Sequence, residues 1–504
     1  MSTVAGSTRG VIRPHLAWPL GLAALAFAVR LVTVLRGGGF FGRIGYDGSV
    51  YYASAAALSH GLLPYRDFLL LHPPGIVLAL LPFAALGRLV GDADAYALAR
   101  LAWFVLGAVS TVLVFRVVRP RGLAPAVVAA AFYAVFVPAV TSEHTTSLEA
   151  VGSVCLLGAV ALLTSARDLR TGSVAPVLVA GALLGFATGT KIWGAAVVLA
   201  LVAWTVHRSG VRRAALVLVG AVGATTLTCL VFFLAAPGPM WRMVVLDQLG
   251  RRREPGGLSG RLVDIMGLSE LRLAVGTHAL AAVAAVVLMT LLVLAVHDPL
   301  GRLAALLLVV TGAVLLATPP WSVAYTGLSA PPIALLVGSA VARVTTAGGR
   351  RRLVGGLAAL TVLVAYTVTS LPGLTFGSRF PGRSLERVLV QAPGCVTTDD
   401  PITLIETGAL RRNFGQHCPV VVDLSGYTYD LQPGASLRVR RVRNTQWQRF
   451  ARTQLATGET AVVVRFRTTA GLSRKTRGAI ARWPLMAAVN GYELRHPVQA
   501  TASR

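Results

Sequence analysis

Apolar runs alternate with short polar ones along most of the chain. Their lengths approach the ~20 residues needed to cross a hydrocarbon core, so they predict membrane-spanning helices. We place spans near residues 16–35, 100–118, 123–141, 146–165, 174–192, 194–208, 214–236, 273–297, 302–318, 328–346 and 353–371, about eleven in all. The first could serve as a signal peptide, given its small-x-small Ala26-Phe27-Ala28, but its length and the spans that follow favour an uncleaved anchor. Between the first and second spans lies "YDGSVYYASAAALSHGLLPYRDFLLLHPPG", residues 46–75, dense in Asp, His, Arg and Tyr. The overlapping "HPPGIVLALLPFAALGRLVG" is apolar too, and we read it as a helix lying in or dipping into the outer interface.

After residue 371 the pattern changes. "CPVVVD" (418–423) and "AVVVRFR" (461–467) read as short strands among turns. The expected fold is an α-helical polytopic membrane domain, 1–371, with a first external loop at 36–99, followed by a small extracytoplasmic α/β domain, 372–504. No repeat of 20–50 residues and no inverted repeat is visible in the hydropathy, which weakens a transporter reading.

Charge fixes the expected orientation. The formal net charge is +27, yet only 13% of residues are charged, against about 25% in soluble domains. The arginines cluster in short loops: Arg9 and Arg13; Arg116, Arg119 and Arg121; Arg167 and Arg170; Arg208, Arg212 and Arg213; Arg302; Arg350 to Arg352. With the N-terminus in the cytoplasm all of these fall inside, as the positive-inside rule requires. The basic charge therefore answers to the lipid bilayer of a plasma membrane, and nucleic acid is rejected as a partner. Nearly all basic residues are Arg, with only Lys191 and Lys475 as lysines. Together with the richness in Ala, Gly and Val, this points to a high-GC, actinobacterial type of genome. Cys155 and Cys229 lie in apolar runs and read as packing residues, while Cys395 and Cys418, in the outer domain, could form a disulfide.

Several polar groups come out on the outer face together. Asp47, at the start of a helix-like run, could cap that helix or act as a general base, and capping would hold it in place. In "LHPPG", Pro73 or Pro74 starts a helix whose N-terminus attracts anions, and His72 could add a proton or a charge. Arg66 and Asp67 could simply pair. In "SEHTTSLEA", Glu143 and His144 could hold a metal or a sugar, or form a capped helical corner in which Glu149 snorkels or is hydrogen-bonded. Their spacing fits no standard metal motif, so a divalent metal is only an option. Lys191 in "GFATGTKIWG" suits point-charge binding of phosphate, or anchors the interface beside Trp193. Arg251, Arg252 and Arg253 on the outer side need an anion, either lipid headgroups or a substrate phosphate. In "TPPWSVAY", Trp321 and Tyr325 could belong to an aromatic belt or stack on sugar. A carboxylate base and several phosphate-seeking cations at one lipid surface suit transfer from a lipid-phosphate donor to a hydroxyl, with inversion.

The opening stretch resembles the first external loop of the GT-C superfamily, membrane glycosyltransferases that use polyprenyl-phosphate sugars. Protein O-mannosyltransferases and lipid A aminoarabinose transferases are the nearest in pattern. The resemblance is carried by "YDGSVYY" and "LHPPG" and is strong over about residues 45–83; beyond that it is a match of topology. It implies Asp47 as catalytic base, His72 at the donor phosphate, Lys191 as the Lys of "GTKIWG", and Glu143 in a second acidic loop. The family's late His-Tyr pair survives here only as Tyr325, after Ala324. The implied partners are a polyprenyl-phosphate-linked sugar and a cell-envelope lipid, glycan or protein acceptor. A transporter or flippase of lipid-linked sugars is the alternative, but it would need charges along the middle of the spans. A non-catalytic membrane scaffold is a further rival.

Overall fold

Backbone polar groups find no water in hydrocarbon, so apolar runs of this length must fold as helices that satisfy themselves. The computed structural model describes residues 14–165, 173–253, 257–271, 275–345, 350–430, 439–465 and 471–498. Arg9, Arg13, Arg167 and Arg170, used above for orientation, lie outside the described residues, as do positions 466 and 467 of "AVVVRFR".

The N-terminal part runs through α1 (Pro14–Arg36), α2 (Asp47–Ser59), α3 (Gly75–Val90), α4 (Asp92–Val118), α5 (Leu123–Val135), α6 (Val137–Glu143), α7 (Leu148–Ser165), α8 (Ala175–Thr188), α9 (Gly194–Ser209) and α10 (Val211–Ala235). The later long helices are α11 (Thr277–Ala295), α12 (Pro299–Ala317), α13 (Ala330–Thr345) and α14 (Arg350–Ser370). Among the described residues, eight helices are long and apolar enough to cross a membrane, and the pair α5–α6 makes a ninth if counted as one bent span. The expected number was about eleven. The difference falls on α8 and α9, apolar but only 14 and 16 residues long, and on the break in the 123–141 run. That break is a 54° bend at Phe136, whose extended backbone precedes Pro138. The freed amide of Val137 donates instead to the Tyr366 hydroxyl, at 3.1 Å. α3 has 16 residues, roughly 24 Å of helix, short of a ~30 Å core, and packs on α2 and α4.

Helices without a hydrophobic drive between them associate through small residues that let backbones approach. The α8–α10 contact shows this. A Cβ at Gly181 would lie 2.2 Å from the Val217 carbonyl oxygen, and one at Gly185 2.1 Å from that of Ala221. Elsewhere a fully buried charge ties elements together. Arg30, within α1, donates to Glu143 Oε2 from Nε at 2.9 Å and Nη2 at 2.5 Å, and from Nη1 to the Ala134 carbonyl at 2.6 Å. Tyr133 donates to the other Glu143 oxygen at 2.7 Å.

The C-terminal part holds a sheet in the order β1-β2-β4-β3, from β1 (Val396–Thr398), β2 (Thr460–Val463), β3 (Leu485–Val489) and β4 (Tyr492–Arg495). β1 and β2 are parallel; β4 runs antiparallel to both β2 and β3. Asn490 and Gly491, both at positive φ, make the tight β3–β4 turn. The segment 418–423, expected as a strand, pairs with nothing in the sheet. Pro419 lacks an N–H for a ladder, and Cys418 is held by a disulfide to Cys395. Trp447, Leu455, Ala461 and Ile480 form the core between this sheet and its helices. The unit docks on the first loop: Arg43 donates to Asp400 at 2.7 Å, Tyr46 donates to Asp423 at 3.1 Å, and His60 stacks on Phe414 at 4.5 Å.

Candidate active site

Four pieces of chain enclose a cavity of about 190 Å³: the start of α2, the loop 69–72, the loop 320–325, and the C-terminal segment 423–429, with Arg251 reaching in from the side. Asp47 opens α2. The helix cap is Tyr46, without a side-chain bond, so the expected capping role of Asp47 is not what holds it. Its carboxylate accepts no hydrogen bond among the described residues and is open to the cavity. Protein around the cavity withdraws bulk water and raises its pKa above the ordinary carboxylate range, opposed by Arg465, Arg251 and Lys191.

His72 lines the same cavity, with its ring edge-on to Tyr51 at 6.0 Å and its carbonyl accepting from the Tyr65 hydroxyl at 2.6 Å. Burial, then Lys191 and Arg251, push its pKa well below the usual imidazole value. It is therefore a neutral N–H donor or acceptor at neutral pH, not a cation. The helix start after it is also less available than the sequence suggests. α3 begins at Gly75, whose amide donates to the Gly189 carbonyl at 2.7 Å. A Cβ there would meet Thr190 Oγ1 at 2.5 Å, so only glycine lets α3 approach the end of α8.

Lys191 stands one layer back. Its ammonium pairs with Glu149 Oε1 at 2.5 Å and lies 3.8 Å from the ring centroids of both Trp193 and Tyr325. Tyr325 faces the main cavity, so the ammonium sits directly behind that wall. Beside it, Glu149, Lys191 and Trp193 close one end of a narrow cleft otherwise lined by apolar residues of α7, α8 and α9. Arg251 holds its guanidinium 4.5 Å from the Tyr429 ring centroid, which fixes it at the cavity wall. Arg252 and Arg253 do not line the cavity; Arg253 donates to the Leu316 carbonyl at 3.0 Å. Trp321 is clamped by its N–H to Asp264 at 2.9 Å and by the Arg261 guanidinium at 4.8 Å. Arg261 also donates to the Leu315 and Thr318 carbonyls, which secures the end of α12 and the loop after it.

Glu143 and His144 do not reach this cavity. Glu143 is enclosed with Arg30 and Tyr133, and His144 stacks on Phe376 at 3.5 Å with its Nδ1 on the Thr141 carbonyl. The acid of that corner nearest the site is Glu149, which pairs with Lys191 in the cleft beside it. The C-terminal unit supplies what the sequence reading left without a role. Asp423 lines the roof, with Oδ1 accepting from Tyr46 and from the Gly426 amide at 2.7 Å. Burial, and the nearby Asp47, raise its pKa. Arg465 lies over the Tyr46 ring at 4.2 Å. Among the described residues no three His, Cys, Asp or Glu side chains converge as a metal-holding group. The positive charge near the cavity belongs to Arg251, Arg465 and Lys191. An unbonded carboxylate beside guanidinium groups can take a proton from a hydroxyl while the cations hold an anion.

Residues 70–319 match the model of Glycosyltransferase family 87. The fold is similar to that of ArnT from Cupriavidus metallidurans in the apo state, with a TM-score of 0.62 over 96% of this chain and 99% of that one at 15% identity. The same enzyme bound to undecaprenyl phosphate aligns with a TM-score of 0.60 over 96% and 98% of the two chains at 15% identity. The archaeal oligosaccharyltransferase AglB from Archaeoglobus fulgidus, in complex with an inhibitory peptide and a dolichol-phosphate, aligns with a TM-score of 0.59 at 12% identity, over 89% of this chain and 69% of its own. No curated protein sequence matches. With its helical spans, its C-terminal sheet and a family match over residues 70–319, which hold His72, Lys191 and Arg251, the chain is a polytopic membrane glycosyltransferase with a GT-C-type fold.

Proposed function

We propose that this protein transfers a sugar from a polyprenyl-phosphate donor to a hydroxyl of a cell-envelope lipid, glycan or protein, at the outer face of the plasma membrane. The observation that carries this reading is the single cavity that joins the unbonded carboxylate of Asp47 to Arg251 and His72. The structure of ArnT with undecaprenyl phosphate adds a lipid-phosphate precedent on the same fold.

In the proposed reaction the acceptor oxygen attacks the anomeric carbon from the side opposite the phosphate. Asp47 takes the hydroxyl proton. The bond between the anomeric carbon and the phosphate oxygen breaks, and its electron pair stays on the leaving phosphate. Arg251 meets that growing charge, Lys191 adds its field from behind Tyr325, and neutral His72 donates a hydrogen bond to it. Attack from the opposite side inverts the anomeric centre. Asp423 and Tyr429, on the roof, face the acceptor and orient its hydroxyls. We place residues 1–371 as the membrane domain and 372–504 as the extracytoplasmic domain, with the N-terminus in the cytoplasm.

The test is a panel of polyprenyl-phosphate mannose, arabinose and aminoarabinose donors, incubated with membranes carrying the protein. Release of polyprenyl phosphate together with an inverted glycosidic product is expected for one donor class. Retention of configuration, or no release from any lipid-linked sugar, would overturn the reading.

A further inference from the structure

α7 and α9 carry one end to the cleft beside the candidate site, α12 ends at the loop that lines it, and α4 runs alongside them; their other ends meet at a second cavity. α4 starts at Asp92, bonded to Tyr52 of α2. α7 starts beside Glu149, α9 beside Trp193, and α12 ends at the loop that lines the site. At their far ends lies a cavity of about 300 Å³ lined by Arg116 of α4, Trp204 and Arg208 of α9, and Arg121 from the turn after α4. With a rise of 1.5 Å per residue, α7, α9 and α12 separate the two cavities by roughly 20–27 Å, nearly a hydrocarbon thickness, and α4 runs roughly 36 Å from Asp92 to Arg116. The second cavity therefore lies at the opposite face of the bilayer from the sugar-transfer site.

Among the described residues its charge is unbalanced. Arg121 is held by Asp298, with Nε at 2.5 Å and Nη2 at 3.0 Å, and Asp298 also accepts from Ser339. Arg116 and Arg208 form no hydrogen bond or ion pair among the described residues, and the Trp204 indole N–H has no acceptor there either. Trp204 and Arg208 are four apart on α9 and so share a face. The positive-inside rule accounts for arginines on this surface. It does not account for two of them, from separate helices, turned into one cavity with an indole donor. The deeper wall, with Leu163 and Leu300, is apolar.

We propose that this cavity binds a phosphate-bearing anion, with Arg116 and Arg208 as its charged ligands and Trp204 as a further donor. Either an anionic phospholipid headgroup or free phosphate carries that chemistry, and the experiment separates them. The full-length protein is reconstituted into phosphatidylcholine vesicles with a minor fraction of phosphatidylglycerol, re-extracted, and its retained lipid quantified. Phosphatidylglycerol is expected to be enriched roughly tenfold over its input, and this enrichment is expected to vanish in R116A/R208A. Displacement of that lipid by inorganic phosphate, or thermal stabilisation of wild type but not variant by phosphate alone, assigns the site to the soluble anion and also supports the proposal. Equal enrichment in wild type and a folded R116A/R208A, with no phosphate effect in either, overturns it. If the double variant does not fold, R208A alone, which removes an exposed side chain without a bond, must still lower the retention of anion; unchanged retention overturns the proposal. Sugar transfer should be unchanged in R208A.

Discussion

Replacing Lys191 by Met separates a structural ion pair from a phosphate-binding charge. In the native protein the ammonium has Glu149 at 2.5 Å and two aromatic rings at 3.8 Å, and the side chains are only 10% and 5% exposed. Removing one partner of such a pair leaves a buried carboxylate without compensation, at a cost of about 3–5 kcal/mol. The loss of two desolvated cation–π contacts adds roughly 1–2 kcal/mol each. K191M should therefore unfold markedly earlier on heating in detergent. E149Q/K191M removes both charges and should recover most of that stability. If Lys191 also meets the leaving phosphate, transfer by the double variant stays roughly a hundredfold below wild type. The readouts are thermal unfolding and turnover with a polyprenyl-phosphate sugar, measured on the same preparations. Recovery of both stability and turnover in E149Q/K191M would refute the phosphate role, and an undiminished stability of K191M would refute the ion-pair reasoning.

Glu143→Ala should cost about 3–5 kcal/mol, because Arg30 would remain buried with only carbonyl partners; turnover per folded molecule should stay near wild type, and a much larger loss would place Glu143 in the reaction after all. Opening the Cys395–Cys418 link, which closes a 23-residue separation, should cost about 3 kcal/mol and expose the C-terminal unit to protease. In C395S/C418S the KM for acceptor should rise more than that for donor, since the tethered segment continues into Asp423 and Tyr429. Glu406, at the contact between the C-terminal unit and α4, has its pKa raised to about 8 by burial, opposed by Arg100. Its carboxyl binds its proton more tightly folded than unfolded, so the stability it contributes is complete below about pH 4.5 and is lost as pH rises through about 8. E406Q should flatten that fall in thermal stability between neutral and alkaline pH, and an unaltered pH dependence would contradict the assignment.

Much of this arrangement is legible in the sequence, for physical reasons. Span-length apolar runs leave the backbone no option but helix, and that is why α1, α4, α7 and α10 to α14 could be placed. Asp47, His72 and Lys191 stand out because polar groups at a membrane surface are costly to keep. Other features are set by partners distant in sequence. Glu143 reads locally as a site acid, but Arg30 encloses it. An arginine in mid-span demands a buried acceptor, and that signal was present in α1. Glu149, six residues on in the first turn of α7, is the acid that faces Lys191. Asn490-Gly491 is a local signal for the β3–β4 hairpin. Asp423 was not legible at all: nothing local marks it, and its place over Asp47 comes from the docking of a unit almost 380 residues downstream through Tyr46.

The central claim, that Asp47 takes the acceptor proton, is tested most directly by the transfer rate of Asp47→Asn against pH. Wild-type rate should climb with pH as the carboxyl loses its proton, at a midpoint above the ordinary carboxylate range because the cavity raises its pKa. D47N should lose that limb and roughly 10²–10⁴-fold in rate, with donor binding intact. Transfer by D47N at the wild-type rate, with the same pH profile, would contradict the account.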